Sequence, residues 1–566
     1  MKLQIEQPYI DNMVDRFPEL GEVAADQLRF GKKVLLSVEQ LNRDALAYLH
    51  NLYEENGLKG RAAQVATLKH AINDEGERFG EDDLEKLLAA IAEFLVTDSR
   101  RGWLFHANMA GRPMPYLVSR LDYTPPGEEE AGRIFIELKA NSRGKVETET
   151  LVIRSRDLNN RTVSEILASK GYLKEGDALI AGYDESMKHY FDWRSRYGAQ
   201  FSARGYGYYA EDPSATHRSS DWTRKSTVVL SSSGGWARLV NDEGILNDRP
   251  LALDATGHFL DKFLRKAGKS SHYDDEIHER VEACREKIEK GQFSQLPVHG
   301  FVFMYHLELH HYLWVHVDDM KPYQYQPELK EKLVLPQSQT DLIDILTAEM
   351  DVLMDDIVEG KSGGTTVLCA GPPGVGKTLT AEVYSEIIGR PLYRVHSGQL
   401  GLNVAEMEKA LKDVLTRAQR WGAVMLIDEA DVYIKRRDDN IEMNAVVGVF
   451  LRVLEYFNGL LFLTTNRVDD IDEAIVSRCI ALIKYHAPRG DDRNRLWQVM
   501  AEQFSLQLDD ATINELIGLF PDASGRDIKG LAKLVAKFCS QKVLPPTVDV
   551  FKRCSIFRGM EVLEDE

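Results

Sequence analysis

The chain has 566 residues, of which 43% are hydrophobic and 28% charged, and its formal net charge is −19. This length exceeds one hydrophobic core, so we expect two to four domains, and the composition excludes a wholly disordered chain. The negative charge disfavours nucleic acid as a partner, although a local basic patch would still permit it. Five scattered cysteines, an acidic N-terminus and no long apolar run predict a cytoplasmic protein without a membrane span.

The N-terminal half divides into two predicted regions and a linker. Residues 1–100 are predicted to be helical, because the apolar residues of EDDLEKLLAAIAEFL recur every three or four positions. Residues 101–320 are predicted to form a strand-rich recognition domain, since alternating segments such as RIFIELKA are separated by turn sequences. The three prolines of KPYQYQPELKEKLVLPQ predict an extended linker over 321–340.

Two patterns in the strand-rich region have both a functional and a structural interpretation. The segment KHYFDWRSRYGAQFSARGYGYY mixes arginines with aromatic residues, which suits either a groove for bases or peptides or a core with solvated arginines. His306, Glu308 and His310 would share one strand face and could bind a metal, unless a turn near His310 breaks that geometry.

The C-terminal half alternates apolar strands with amphipathic helices. The strands TTVLCAG, PLYRVHS, AVMLID, LLFLTTN and ALIKY predict a parallel sheet covered by helices on both faces over 341–490. Three further helical stretches predict a lid, followed by a tail, over 491–566. The predicted fold is therefore α/β, a P-loop doubly wound parallel sheet with a C-terminal helical lid, preceded by a helical and strand-rich (α+β) N-terminal region.

The segment GPPGVGKT lies between the first of these strands and a helix, and it satisfies the pattern GxxxxGK[ST]. Its glycines let backbone N–H groups surround phosphates, while Lys377 can reach the β- and γ-phosphates and the Thr378 hydroxyl can ligate magnesium. We therefore predict that the chain binds ATP and Mg²⁺. The predicted nucleotide-binding residues are Gly371, Pro372, Pro373, Gly374, Val375, Gly376, Lys377, Thr378, Leu379 and Asp428.

Two carboxylates follow the strand AVMLID, at the sheet edge where α/β proteins bind ligands. Asp428 is predicted to hold hydrated Mg²⁺ together with Thr378, and Glu429 to orient and polarise the attacking water. The alternative is that this acidic string only begins a helix, where carboxylates are common.

The motifs GPPGVGKT, LIDEAD and LTTNR, in this order on successive strands, resemble those of the AAA+ ATPases over about residues 340–540. The resemblance implies that Asn466 is a sensor that positions the attacking water. It also implies that Arg478 is an arginine finger that reaches into a neighbouring subunit, and that Arg526 contacts phosphate from the lid. With Glu429, these are the predicted catalytic residues. The alternatives are a turn residue for Asn466 and surface arginines for the other two.

The sequence departs from the family at two places. Many relatives carry a second arginine soon after the finger, where this chain has Cys479, Ile480 and Ala481. Rings that thread protein usually grip it with an aromatic residue, where this chain has Leu400, Gly401 and Leu402. These two leucines would form an apolar ridge or pack against the next helix.

The sequence resembles in particular a branch of AAA proteins in which an uncharacterised N-terminal region precedes one ATPase module. This resemblance implies ATP hydrolysis by a ring of identical subunits, commonly a hexamer, that remodels a protein or complex. Two alternatives remain open: a nucleotide-gated interaction switch with little turnover, and a clamp-loader-like ATPase that remodels nucleic acid.

Overall fold

This computed structural model describes residues 2–29, 33–37, 40–72, 75–107, 112–128, 130–213, 227–232, 235–246, 251–255, 257–348, 364–401, 403–437 and 439–560. The strands are β1 (Lys2–Glu6), β2 (Lys33–Ser37), β3 (Trp103–Ala107), β4 (Pro113–Thr124), β5 (Arg133–Ser142), β6 (Lys145–Arg154), β7 (Tyr172–Lys174), β8 (Gln200–Ala203), β9 (Tyr206–Ala210), β10 (Thr227–Val229), β11 (Ser231–Ser232), β12 (Gly235–Asn241), β13 (Phe301–His306), β14 (His311–His316), β15 (Met320–Pro322), β16 (Thr365–Ala370), β17 (Leu392–His396), β18 (Val424–Asp428), β19 (Leu460–Thr465) and β20 (Ala481–Lys484). The helices are α1 (Gln7–Arg16), α2 (Gly21–Leu28), α3 (Arg43–Glu55), α4 (Lys59–Ile72), α5 (Leu84–Val96), α6 (Ser155–Leu158), α7 (Val163–Ser169), α8 (Asp177–Arg194), α9 (Phe259–Ala267), α10 (Asp275–Glu286), α11 (Gln337–Ala348), α12 (Lys377–Ile387), α13 (Ser397–Leu400), α14 (Val404–Trp421), α15 (Ile441–Leu454), α16 (Glu473–Val476), α17 (Asp491–Gln503), α18 (Asp510–Leu519), α19 (Gly525–Lys542) and α20 (Val548–Ile556).

Helices dominate the first hundred residues, and one short antiparallel pair of strands joins them. Helix α5 buries the apolar stripe that the sequence shows, including Leu87, Leu88 and Ile91, which are fully buried. Strands β1 and β2 pair along their whole length, although two helices separate them in the sequence. The helical pattern alone does not reveal this pair, because each strand is only five residues long.

Two antiparallel sheets follow, with strand orders β6-β5-β4-β3-β7 and β10-β9-β14-β13-β12-β8-β15. In β5, alternate residues such as Ile134, Ile136 and Leu138 are fully buried, so one face of this sheet faces the core. Helices α6 to α10 lie between these strands in the sequence, so the strand-rich region is α+β.

The C-terminal half contains a parallel sheet with strand order β17-β18-β19-β16-β20. Every residue of β16, β18 and β19 is buried, as expected for strands that helices cover on both faces. Val367 and Cys369 pack on one face in a cluster that includes residues of α12, whereas Leu368 belongs to the cluster that contains α14 and α15. The predicted α/β fold is confirmed.

Helices α17 to α20 form a separate core around Trp497, Leu516 and Phe551. The sequence predicts three of these helices, and the structure adds α20. Ser524 caps α19, since its hydroxyl oxygen accepts the backbone N–H of Asp527, whose carboxylate accepts the backbone N–H of Ser524. This capping box fixes where α19 begins, next to the parallel sheet.

The N-terminal sheets pack directly against the parallel sheet through aromatic and ionic contacts. The hydroxyl groups of Tyr305 on β13 and Tyr393 on β17 lie 3.0 Å apart, and the Tyr305 ring centroid lies 4.9 Å from that of Trp421. Beside them, the Arg420 guanidinium donates to both oxygens of Asp242, with a 2.7 Å bond from Nε. One apolar cluster therefore runs from the N-terminal helices to one face of the parallel sheet.

The histidines considered as metal ligands have a structural role. His306 ends β13, and its Nδ1 accepts the backbone N–H groups of Glu308 and Leu309, each at 3.2 Å. The tight turn to β14 removes His310 from the strand, as the sequence suggested. Within the described ranges, no group of three His, Cys, Asp or Glu side chains is arranged to hold a metal.

Contacts within the fold account for the arginines of the aromatic-rich segment and for Leu400. Arg194 pairs with Glu243 at 2.8 Å and Arg196 with Asp192 at 2.5 Å, so both arginines are engaged within the fold. Leu400 is 2% exposed and packs in the core, whereas Leu402 lies outside the described residues. None of the described helices combines the length and apolarity that a bilayer crossing requires.

Candidate functional site

The GPPGVGKT segment forms the turn between β16 and α12 at the carboxyl edge of the parallel sheet. Gly374 and Gly376 have φ angles of +83° and +101°, which glycine adopts without steric cost. Pro372 and Pro373 are exposed, Val375 is partly buried against the sheet core, and the Leu379 side chain is 44% exposed. Helix α12 begins at Lys377, so its first N–H groups face this turn.

Lys377 is 8% exposed, and its ammonium group binds backbone oxygens of the same turn. Its Nζ donates to the carbonyl oxygens of Gly371 and Pro372, both at 2.7 Å, and to Oδ1 of Asn466 at 3.0 Å. Burial lowers the pKa of Lys377, although the Asp431 and Asp428 charges oppose this effect. A cation is thus held at the centre of a ring of backbone and amide oxygens, where it can meet phosphate.

The buried carboxylate of Asp428 lies beside the start of α12. Its Oδ1 accepts hydrogen bonds from the hydroxyl groups of Thr378 at 3.1 Å and Thr464 at 2.5 Å. Its Oδ2 accepts a hydrogen bond of 2.6 Å from Arg394. Burial raises the pKa of Asp428, but the Thr464 bond and the Arg394 charge outweigh it, so the net pKa is lowered and the group is ionised near neutral pH.

Glu429 follows Asp428 in a conformation that is uncommon for a residue with a side chain. Its φ and ψ angles are 57° and 48°, in the left-handed region, and its backbone N–H donates to Oγ1 of Thr464 at 3.0 Å. The side chain is exposed, and the described residues provide its carboxylate with no hydrogen-bond donor. Such strain clusters at functional sites, and here it turns a free carboxylate out of the strand.

Asn466 directly follows β19 and lies between the phosphate loop and the acidic residues. Its backbone N–H donates to Asp431 at 3.1 Å, and the Thr465 hydroxyl donates to the same carboxylate oxygen at 2.5 Å. Asp431 therefore fixes the end of β19, while the Asn466 side chain accepts from Lys377. Three adjacent strand ends, of β16, β18 and β19, meet through these contacts.

The lid reaches the same place through the start of α19. The backbone N–H of Arg526 donates to the carbonyl oxygen of Gly374 at 3.1 Å, and the charge of Arg526 contributes to the lowered pKa of Lys377. A Cβ atom on Gly374 would lie 2.8 Å from Cβ of Arg526 and 2.9 Å from Oγ of Ser524. The phosphate loop and the lid are therefore in direct contact.

Arg478 does not join this group within one chain. Its guanidinium binds Glu455, with 3.2 Å from Nε to Oε1, and donates to the carbonyl oxygen of Ala474 at 3.2 Å. The side chain is 37% exposed and, among the described residues, makes no contact with the phosphate loop or with Asp428. The structure therefore places Arg478 on the surface, apart from the phosphate loop of its own chain.

Sequence reasoning missed three residues that shape the site: Arg394, Thr464 and Asp431. Arg394 is a charged residue between Tyr393 and Val395 in the strand that neighbours the acidic one, which is a signal that could have identified it. The threonine pair that ends LLFLTT is a weaker signal, because threonine is common in strands. Asp431 stands three residues after Asp428, and only the structure shows that it holds the Asn466 backbone.

Comparison with known protein families identifies this part of the chain. Residues 367–486 match the family described as ATPase family associated with various cellular activities (AAA). These residues form an AAA ATPase domain. The match ends before the lid, so α17 to α20 and the N-terminal sheets lie outside it.

Relatives of the AAA domain include proteins of archaea, bacteria, plants and animals. The chain is 29% identical over 172 residues to a putative 26S proteasome regulatory subunit homolog of Methanothermobacter marburgensis, covering 29% of this chain and 46% of that protein. It is 28% identical over 185 residues to proteasome-activating nucleotidase 1 of Haloferax volcanii, covering 30% and 45%. It is 25% identical over 197 residues to fidgetin-like protein 1 of Drosophila melanogaster, covering 33% and 38%. The matches thus span less than half of each relative.

The AAA domain has a donor set that fits a magnesium–nucleotide complex. The Thr378 hydroxyl and the Asp428 carboxylate lie side by side, and oxygen atoms of this kind suit Mg²⁺. Lys377 and the N–H groups at the start of α12 provide positive potential for phosphates. The phosphate loop itself contains no acidic residue, whose charge would repel the phosphates.

Proposed function

We propose that the chain binds ATP with Mg²⁺ at the AAA domain and hydrolyses it. The observation that supports this proposal is the set of contacts that joins Lys377, Thr378, Asp428 and Asn466 at one edge of the parallel sheet. These residues come from three strand ends and are brought together only by the fold. An acid-rich helix start would not require such a convergence.

The roles of the residues follow from their donors and acceptors. Lys377 would exchange its two carbonyl acceptors for phosphate oxygens, and Thr378 with Asp428 would hold the metal, which neutralises phosphate charge when bound. Glu429, whose carboxylate is free, would orient the attacking water and accept its proton. Asn466 would fix the position of that water by a hydrogen bond.

We propose that Arg478 completes the site of a neighbouring copy in a ring, commonly a hexamer in such families. An arginine finger stabilises negative charge that develops on the transferred phosphoryl group, and it can contribute about three to five powers of ten in rate. Arg478 lies on the surface and away from the phosphate loop of its own chain, which supports a role in trans. Turnover would then depend on assembly.

The output of hydrolysis is proposed to be remodelling of a protein or protein complex that the N-terminal region recognises. Two relatives are named for the proteasome, which supports a protein partner over nucleic acid. Cytoplasmic residence also remains a proposal, with which the five unpaired cysteines agree.

The burial of Leu400 favours a second candidate, a nucleotide-gated interaction switch. Leu400 packs in the core, and the hydroxyl of the neighbouring Tyr433 donates to the carbonyl oxygens of Ser397 and Gly401. The described part of this segment therefore offers no exposed apolar grip for threading. Sustained ATP turnover whose rate per subunit rises with protein concentration would argue against the switch and for the ring.

The proposal is tested by comparing nucleotide binding and ATP turnover in wild type, three site variants and one control variant. Wild type should do both, Lys377→Ala should lose binding, Glu429→Gln should bind without turnover, and Arg478→Ala should bind with turnover reduced at least a hundredfold. Arg452→Ala is the matched control, because Arg452 is an exposed arginine of the same domain that pairs with Glu408. Unchanged turnover in both Glu429→Gln and Arg478→Ala would refute the assigned site.

A further inference from the structure

Arg394 binds the carboxylate oxygen of Asp428 that its two threonine neighbours do not contact. Thr378 and Thr464 both donate to Oδ1, whereas the Arg394 guanidinium donates to Oδ2 at 2.6 Å. Arg394 lies on the edge strand β17, beside the strand that carries Asp428. A cationic side chain thus already neutralises the carboxylate on which the proposed metal site depends.

The guanidinium has a second acid within reach and an unsatisfied donor. Its NH1 group lies 3.7 Å from Oε1 of Glu382, one turn along α12 from Thr378. Its Nε atom is buried, and no hydrogen-bond acceptor for it exists among the described residues. A buried donor without a partner is energetically unfavourable. Movement of Arg394 towards a new hydrogen-bond acceptor would therefore be favourable.

We propose that Arg394 is a positioning residue that holds Asp428 as an internal counter-cation. It thereby sets the Mg²⁺ concentration that nucleotide binding requires. This inference rests on the proposed function, since it concerns the same site. A fixed positive charge next to a carboxylate opposes the binding of a divalent cation through that carboxylate. Arg394 therefore lowers the gain in nucleotide affinity that Mg²⁺ provides and raises the Mg²⁺ concentration that the site needs.

The test measures binding of a fluorescent ADP analogue, first in excess EDTA and then during a titration with MgCl₂. The readout is the ratio of the Kd in EDTA to the Kd in Mg²⁺, together with the half-saturating Mg²⁺ concentration. Arg394→Gln keeps a hydrogen-bonding side chain but removes the charge. We expect it to raise the ratio, and to lower the half-saturating concentration, by about three- to tenfold.

Two further variants separate charge from structure. Arg394→Lys retains the positive charge and should keep the ratio within about twofold of wild type. Arg452→Gln removes a charge from an exposed ion pair of the same domain and should also leave the ratio unchanged. Thermal unfolding of each protein checks that it folds. If Arg394→Gln fails to fold, a raised ratio in Arg394→Lys is sufficient to overturn the proposal.

The outcomes distinguish this inference from the proposed function. An Arg394→Gln ratio equal to or below that of wild type would overturn the role of Arg394 while leaving nucleotide binding intact. Wild-type protein that binds the analogue under neither condition would refute the proposed function itself. A raised ratio in Arg394→Gln, with wild-type ratios in both control variants, would support the proposal.

Discussion

The backbone N–H of Arg526 donates a hydrogen bond of 3.1 Å to the carbonyl oxygen of Gly374. This backbone bond joins the first turn of the lid helix α19 to the phosphate loop without involving the Arg526 side chain. A rotation of the lid must therefore break this bond or change the shape of the loop. The contact provides a direct route by which nucleotide state would reach the lid.

Gly374→Ala is expected to weaken nucleotide binding. The new Cβ would lie within 3 Å of Arg526 and Ser524, and φ of +83° is unfavourable for alanine. The loop or the lid must shift, so we expect at least a tenfold rise in the Kd of the fluorescent ADP analogue. Equilibrium binding measured by fluorescence anisotropy checks this expectation.

The matched control for this substitution is Gly398→Ala. A Cβ atom there would meet no atom within 4 Å, and Gly398 lies in the same domain at an exposed position. Its Kd should equal that of wild type. Equal weakening in both variants would show that glycine replacement, rather than the contact between loop and lid, is responsible.

Thr464→Val is expected to weaken the metal-dependent step without disturbing the sheet. Valine has the shape of threonine but lacks the hydroxyl that donates to Asp428 and accepts the N–H of Glu429. Hydrogen bonds to charged groups contribute roughly 1.5–3 kcal/mol, so turnover should fall about tenfold or more. Steady-state ATP hydrolysis at saturating Mg²⁺ measures the effect.

Thr366→Val provides the comparison for that experiment. Thr366 is buried on the adjacent strand β16, and its hydroxyl has no hydrogen-bond partner among the described residues. We expect wild-type turnover. A similar loss in both variants would mean that packing in the sheet, and not the support of Asp428, limits activity.

The sequence predicted those site residues that belong to one continuous motif. The phosphate loop and the pair Asp428 and Glu429 are local patterns, and the backbone around them follows from glycine and strand chemistry. Arg394 and Thr464 were not predicted, because their roles depend on which strands are neighbours and in which register. Strand order is a tertiary property that alternation of strands and helices does not specify.

The fold was predicted most completely where helices and strands alternate. The parallel sheet required only recognition of apolar runs, since such strands are buried on both faces. The pairing of β1 with β2, and of β12 with β8 and β13, was not predicted, because antiparallel partners distant in sequence leave no local signal. The assigned limits of the N-terminal regions remain predictions.

Arg420→Ala is expected to loosen the junction between the N-terminal sheets and the AAA domain. The Asp242 side chain is only 2% exposed, and loss of Arg420 leaves its buried charge with the Tyr312 hydroxyl as its remaining side-chain donor. Breaking such a buried pair costs about 3 kcal/mol, whereas the exposed pair of Arg452 and Glu408 contributes little because solvent screens it. Thermal unfolding and limited proteolysis should affect Arg420→Ala and spare Arg452→Ala.

Acid is expected to destabilise the N-terminal sheets through buried histidines. Burial lowers the pKa of His306 and of His299 to about 4 each. The unfolded chain therefore takes up protons first as the pH falls below about 6.5, and stability present above that pH is lost progressively towards pH 4. Each histidine should contribute about 2 kcal/mol of this loss between pH 7 and pH 5.

His306→Asn isolates one of these contributions. An asparagine oxygen can still accept the N–H groups of Glu308 and Leu309, but it does not titrate. Its unfolding temperature should depend less on pH than that of wild type. The exposed His272→Asn variant should retain the full dependence, and an identical slope in all three proteins would contradict this prediction.

Helix α14 begins directly after the segment that contains Leu400 and ends at Trp421, which packs on Tyr305 of the N-terminal sheets. Its 18 residues include no proline or glycine, which are common causes of a helix kink, and they span about 27 Å. A helix without a kink is displaced as one unit when one of its ends is moved. Movement of the segment beside the nucleotide site would thus reach the N-terminal sheets as movement of the whole helix.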